Sequence, residues 1–503
     1  MTFHESAHEH EPEFLDMVYE WMESAPWVAI SAAAHAILFL ILVSIPWSLL
    51  DEKEEVLITA TIETKTPDKF VPPPEEIIPP VEPPESPEDT EELIITDFPL
   101  PNPTPSEPNP EPNPFPDDPA NNNLFEHMGE GPVIGIGGPT GNKGGRFGPP
   151  GGGGPGGFRG ETDKALKWLA AHQAPDGSWD CDGFSDHCGS IGAGACDGVG
   201  ESTHDVGVTG LALLAFLGAG NTTRQGLYRE KVALGIHWLE NNQDPDSGLI
   251  GDRVGHAYLY NHAIAALALC EAYYFSKTPI HKRSAQNAIH YISRARNPYG
   301  AWRYDAPPIG DNDTSISGWM VFALKSAEDA GLVVDPQAFT GALSWFDEVT
   351  DPATGRTGYN SIGSPSSRVP GMNDHFTTEG TESMTAVSLL SRIFMGEDPK
   401  RSELLSKQAD LLRRALPDEE LRDMYYWYYG TYAMFQVGGK HWKAWSRSMK
   451  PAIVETQRHD GDFAGSWDPN GVWGYSGGRV YSTAMMALCL QVHYRYARVA
   501  GAR

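Results

Sequence analysis

The sequence predicts an all-α chain: one transmembrane helix, a disordered Pro/Gly-rich linker, then an (α/α)6 toroid of six inner and six outer helices. Three observations predict it. An uncharged apolar stretch runs over 27–50, Pro and Gly crowd 51–160, and twelve helical patterns of alternating character fill 161–503. The expected parts are therefore an acidic tail (1–26), a membrane helix (27–50), the linker (51–160) and the toroid domain (161–503).

The net charge of −30 lies mostly in the front third. Residues 1–160 hold 28 Asp/Glu and 6 Lys/Arg, whereas 161–503 hold 39 and 31. No Lys/Arg run tracks a phosphate backbone, so nucleic acid is not an expected partner. No cofactor is expected.

The segment PWVAISAAAHAILFLILVSIPWSLL (26–50) carries no formal charge. At ~1.5 Å per residue it is long enough to cross ~30 Å of hydrocarbon. Pro26 suits a first helical turn. Trp27 and Trp47 sit near the two ends, where indoles favour the interface. A basic leader and a small-residue exit are both missing, which disfavours a cleaved signal peptide. Lys53, Lys65 and Lys69 follow the span and no base precedes it. Taken alone, that asymmetry places the C-terminal side in the cytoplasm.

The linker repeats Pro and Glu, as in VPPPEEIIPPVEPPESPED, and should be extended and partly polyproline II. A Gly-rich stretch follows it. Neither buries enough apolar surface to offset ordering entropy. The apolar pieces at 56–62 and 93–95 read as isolated spots within it.

Twelve helical patterns follow from residue 161. Six are amphipathic: 161–173, 227–243, 281–296, 336–349, 401–416 and 441–457. Six are apolar on nearly every face: 205–217, 258–275, 314–330, 379–395, 424–437 and 480–496. A helix apolar all round must be buried, and an amphipathic one can cover it. Six such pairs, each an outer helix with the inner helix that follows it, make an inner ring within an outer ring. The connections echo one another, as in HQAPDGSW (172–179), ARNPYGAW (295–302) and GDFAGSW (461–467). Gly and Asp supply each turn and an aromatic often closes it.

Gln173 followed by Asp176-Gly177-Ser178-Trp179 resembles the Gln-Trp repeat of squalene and oxidosqualene cyclases. Similarity to squalene-cyclase-like proteins with prenyltransferase/squalene oxidase repeats extends over 161–499, including GLALLAFLGAG, DNDTSISGWMVFALKSA and GGRVYSTAMMALCL. The resemblance implies a terpenoid-cyclase toroid. The front end resembles TonB-type proteins, in which an uncleaved helix carries Ser-x-x-x-His before a Pro-rich periplasmic spacer. Ser31 and His35 have that spacing and would share a helix face. That resemblance implies an inner-membrane, single-pass protein with a periplasmic toroid. Its partners would be the membrane and TonB-complex-like proton-channel subunits.

The inner helices should enter the ring at their N-termini, converging polar groups on the mouth. Candidate catalytic carboxyls are Asp311, Asp313, Glu379 and Glu382. Candidate ligand-binding residues are His204, Asp205, Asn261, His262, Trp319, Tyr425, Tyr426, Arg479 and Tyr481. Asp205 and Asp313 also suit N-caps. Arg479 opposes the helix dipole and calls for a carboxylate. Class II terpene cyclases protonate an alkene with the middle acid of Asp-x-Asp-Asp. The nearest match, Asp311-Asn312-Asp313-Thr314, puts Asn312 in the donor's place, which argues against that route. Zinc-dependent prenyl transfer lacks its Asp-x-Cys.

Cys181, Cys188 and Cys196 share one loop, with six and seven intervening residues. A Cys181–Cys188 disulfide is the preferred reading for an oxidising compartment. Free thiols, or a metal held with His187 or His204, are the alternatives, and no metal is assigned. Cys270 and Cys489 read as core. The expected function is capture of a hydrophobic or polymeric ligand (lipid or terpenoid, peptide, or glycan) in a central cavity. The alternative is a terpenoid-cyclase-like or other carboxylate-dependent enzyme.

Overall fold

A computed structural model of the chain describes parts of 31–40, and 159–495 apart from 190–194, 299 and 307–310. Most of the predicted span and all of the linker but Arg159 and Gly160, which are helical, lie outside the described residues. Those described between 31 and 40 are helical, and His35 Nδ1 lies 2.7 Å from the Ser31 carbonyl oxygen. Ser31 and His35 therefore do share a face. Among the described residues no helix is long and apolar enough to cross a membrane.

The remainder is helical throughout. The helices are α1 (Arg159–Ala171), α2 (Asp205–Gly218), α3 (Arg229–Asn241), α4 (Tyr258–Ser276), α5 (Pro279–Ala295) and α6 (Thr314–Ala330). They continue as α7 (Pro336–Glu348), α8 (Ser383–Phe394), α9 (Glu403–Arg414), α10 (Met424–Val437), α11 (Gly439–Met449) and α12 (Gly474–Leu490). The even-numbered helices are the apolar ones and are buried on nearly every face. Each packs on the next, α2 on α4 through to α10 on α12, and α12 packs back on α2. That closure makes an inner ring of six. The odd-numbered helices lie behind it.

Which outer helix covers which inner one departs from the expectation. α3 lies chiefly behind α2, α5 behind α4, and α11 behind α10, so each outer helix covers the inner helix before it. The short inner-to-outer connections explain this: α4 ends at Ser276 and α5 starts at Pro279. α1 has no inner helix before it in the toroid domain and covers the last, α12. The ring is thus sealed by its two chain ends.

The repeated turns staple the layers. Gln173 donates from Nε2 to Gly177 O within its own turn at 2.8 Å and to Lys231 O of α3 at 2.9 Å. Gln243 does the same to Gly248 and Ser284, and Gln457 to Gly465 and Glu161. Trp179, Trp302 and Trp467 each donate an indole N–H to the carbonyl of Leu169, Ile292 and Ile453 of the preceding segment. At Gly177 and Gly465 φ is 102° and 99°, and a Cβ would lie 2.4 and 2.3 Å from a carbonyl oxygen of the neighbouring outer helix. Only glycine allows that approach.

Most helix boundaries move from the sequence reading by a residue or more, and three of the shifts have a visible local cause. α8 starts at Ser383, not 379, because Gly380 takes φ 79° just ahead of it. α11 gives way to a π-helical turn at Lys450–Val454, where Pro451 lacks an amide hydrogen for the regular ladder. α12 begins earlier, with a kink at Gly478 (φ 64°).

An inner and an outer helix meet closely at Gly430 of α10. A Cβ there would sit 2.3 Å from the Trp445 ring of α11. Gly430→Ala is expected to destabilise by about 1–3 kcal/mol through overpacking. Denaturant unfolding checks it, and an unchanged midpoint would refute the contact.

Candidate functional site

The N-terminal ends of α4, α6, α10 and α12 meet around Asp313. This residue caps α6, accepting the Ile316 N–H at 2.8 Å, because its side chain reaches the free amides of the first turn. The same carboxyl accepts the Ser315 hydroxyl at 3.1 Å and the Tyr359 hydroxyl at 3.1 Å. The Tyr260 hydroxyl bonds Ser315 Oγ, and the Tyr304 hydroxyl bonds Tyr359. Tyr425 of α10 donates to Ser315 O at 3.3 Å. Burial pushes the Asp313 carboxyl up to about 7, against the Ile316 and Ser315 bonds that pull it down. Burial pushes the Tyr260 and Tyr425 hydroxyls well above the ordinary tyrosine range, and the Asp313 charge adds to it. The Tyr481 hydroxyl of α12 is shut from solvent with no hydrogen-bond partner among the described residues.

Below this cluster the ring axis is filled. α6 and α10 are separated in the ring by α8, yet Trp319 stacks on Tyr428 at 5.4 Å, with an interplanar angle of 17°. Trp319 also meets Tyr429 edge-on, and Phe322 packs on Phe394. At the level of Trp319, among the described residues, aromatic packing therefore occupies the ring axis, where a central cavity was expected. Tyr260, Tyr304, Tyr425, Trp473, Tyr475 and Tyr481 remain half-buried.

Several predicted site residues have structural roles instead. His262 takes the Ile250 N–H at Nδ1 (3.1 Å) and faces Ala288 O through Nε2. It occupies the repeat position where Thr209, Ser317 and Thr483 accept the backbone N–H of Trp179, Trp302 and Trp467. Burial lowers its pKa to about 4, so it is a neutral brace, not a ligand. Tyr426 points outward, donating to Ala415 O and lying edge-on to Trp445 of α11. Arg479 is buried with two carboxylates, Asp197 at 2.5 Å and Asp468 at 2.7 Å. Its charge is satisfied in tying α12 to the loop after α1. Glu382 is paired with Arg356 at 2.5 Å and accepts the Thr385 hydroxyl. Glu379 is exposed in a turn outside α8.

Asp311 and Asn312 line a cavity of ≈ 410 Å³ with Arg303, Trp345 and Glu348. Asp311 pairs with Arg303 at 2.8 Å, and Asn312 braces its own turn by accepting the Ala301 N–H. His204 and Asn261 are brought together: His204 Nδ1 lies 3.4 Å from Asn261 Oδ1 and Nε2 lies 2.6 Å from Ser476 Oγ. Asp205 accepts the Cys181 N–H at 2.8 Å, and burial raises its pKa to about 6.

The Cys181–Cys188 disulfide is not formed. The Cys181 thiol is buried and donates to Ser476 O and Gly477 O, while Cys188 Sγ lies beside His172 and Cys196. The two thiols are held by different parts of the fold. Sequence reasoning also missed Tyr260, Ser315, Tyr304 and Tyr359. Only Tyr359 carried a signal, as the aromatic closing the TGYN turn.

No family model matches the chain, and no curated protein matches it. Solved structures similar to it include an α-1,6-mannanase from Salegentibacter sp., at 10% identity over 66% of this chain and 98% of that one, with a TM-score of 0.46. A type II terpene cyclase from Scytonema gives 12%, 66%, 96% and 0.43. A cellobiose 2-epimerase from Bacillus thermoamylovorans gives 13%, 66%, 97% and 0.45. Likeness this distant bears on no activity, and the ring itself rests on the helix packing described above.

Proposed function

We propose that this chain is a membrane-tethered, extracytoplasmic toroid that binds a hydroxyl-bearing ligand, a glycan chain above all, at the mouth of its helical ring. The observation that carries the reading is the tyrosine cluster around Asp313, set on four inner helices above a filled axis. Partly exposed aromatic faces stack on the apolar faces of sugars, and polar groups at the rim exchange hydrogen bonds with their hydroxyls. A long prenyl chain needs an open apolar channel, and the stack of Trp319, Tyr428 and Tyr429 stands where that channel would run. The tether is the 27–50 segment with its 51–160 spacer, and TonB-complex-like proton-channel subunits are its proposed partners. Alkaline phosphatase fused after Asp51 tests the orientation: activity is expected, and its loss reverses the topology.

A second reading is favoured by one feature. A carboxyl held near 7 is suited to general acid work at neutral pH. Among the described residues the other candidate carboxyls are paired or exposed. Binding therefore ranks ahead of acid catalysis.

Oligosaccharide and polyprenyl panels titrated by calorimetry against the full chain test both. An oligosaccharide is expected to bind. Tyr260→Ala and Tyr425→Ala should each weaken it at least about tenfold, the effect of one lost aromatic face of about 1.4 kcal/mol. Unchanged affinity in both variants would place the ligand elsewhere. Turnover that Asp313→Asn abolishes would promote the enzyme.

A further inference from the structure

A group of three metal-ligating atoms lies outside the proposed ligand site, at the seam where α1 covers α12. His172 Nε2 is 3.2 Å from Cys188 Sγ and 3.5 Å from Cys196 Sγ, and all three atoms lie within 4.8 Å of one another. Tetrahedral zinc with bonds of about 2.0–2.1 Å to nitrogen and about 2.3 Å to sulfur sets its nitrogen and sulfur ligands ~3.6 Å apart. The observed separations are close to those edges.

The surroundings orient the ligands. His172 Nδ1 lies 2.8 Å from Trp168 O, so the ring donates there and leaves the Nε2 lone pair facing the two sulfurs. The imidazole is stacked on the Trp168 indole at 4.1 Å, which fixes its plane. The Cys196 N–H donates to Cys188 Sγ at 3.1 Å, the kind of bond that supports a thiolate. Cys196 is buried, and its thiol points at Asp462 O, 3.2 Å away. Trp168 donates its indole N–H to the same carbonyl at 2.9 Å. The group therefore ties α1, the cysteine loop and the last repeat's turn to one point.

We propose that His172, Cys188 and Cys196 form a site for a borderline-soft divalent cation of the zinc class, which clasps the first and last repeats of the ring. Binding releases the two thiol protons to solvent and leaves two thiolates and one neutral imidazole on the ion, with a water in the fourth position. The softness of two sulfurs and a nitrogen selects zinc over calcium or magnesium. Cys181 takes no part, because its thiol is engaged with Ser476 and Gly477.

The test uses the full chain purified under reducing conditions with zinc, then stripped and reloaded with zinc or with cobalt(II). One equivalent of zinc per chain is expected, with a fall in Tm on stripping and a sulfur-to-cobalt charge-transfer band on cobalt loading. Cys188→Ser and Cys196→Ser should lose the metal and the band, and Cys181→Ser should keep both. The cobalt spectrum of the wild-type chain needs no variant to fold. Absence of bound metal and of the charge-transfer band in the wild-type chain would overturn the proposal. So would metal retained by both Cys188→Ser and Cys196→Ser, or a Cys188–Cys196 disulfide in peptide maps of the chain isolated without reductant.

Discussion

Replacing Asp313 with asparagine is expected to remove a loss of stability that the wild-type chain suffers between about pH 4 and pH 7. The Asp313 carboxyl is fully buried, and desolvation raises its pKa from 3.8 to about 7. In that window the unfolded chain has released the proton and the folded chain still holds it. The folded state binds more protons, so stability falls as pH rises. A shift of roughly three units corresponds to about 4 kcal/mol by pH 8. Asparagine keeps the cap, since its carbonyl oxygen can still take the Ile316 N–H, and its NH2 can face a Tyr359 hydroxyl turned to accept. The variant should therefore match the wild type near pH 4 and exceed it above pH 7. His262 works in the opposite direction. Its folded pKa is lowered to about 4, so stability drops as pH falls below 6.5. That acid limb should persist in the variant. Tm measured from pH 4 to 8 on both proteins is the check, and parallel curves would mean that Asp313 is not the titrating group.

The ring was legible because burial leaves a mark on composition. α2, α4 and α10 carry apolar side chains on every face, and a helix of that kind has no place except inside. Asp313 was legible for a similar local reason, as a carboxyl one residue ahead of a helix. What the sequence hid is long-range. The covering of α12 by α1 joins segments some 300 residues apart, and nothing in either helix names its partner. The loop lengths did hold the clue to which inner helix each outer one covers, since two residues between α4 and α5 permit only a tight hairpin. His262 was misread because Thr209, Ser317 and Thr483 fill its position elsewhere, and a shared role is invisible when the residue type changes. The cysteines were misread for a third reason. Spacing ranks pairs along the chain, whereas His172, from the end of α1, decides which thiols stand together. Tyr304 and Tyr359 come from loops whose course no periodicity describes.

Removing Glu271 should cost more stability than any other single change considered, and removing its partner as well should restore it. Glu271 lies in the middle of α4 at 1 % exposure, in an apolar run where a charge has no other reason to be. Its carboxylate meets the Arg495 guanidinium at 2.7 Å, and Arg495 is wholly buried in the short turn after α12. Arg495 also donates to Leu214 O of α2, and Gln491 donates to Ala215 O at 2.7 Å. The segment after α12 is thereby fastened against α2 and α4. A buried pair gains little over apolar packing, because desolvation offsets its attraction, but a buried charge left alone is severely unfavourable. Glu271→Ala is accordingly expected to destabilise by about 3–5 kcal/mol. The double variant Glu271→Leu with Arg495→Met fills the same space without charge and should fall within about 1 kcal/mol of wild type or above it. Denaturant midpoints of the two proteins decide the matter. If the single variant unfolds with the wild type, water reaches the pair and the seal is not there. If the double variant is as weak as the single one, the guanidinium's bond to α2, not charge balance, is what holds the segment after α12 in place.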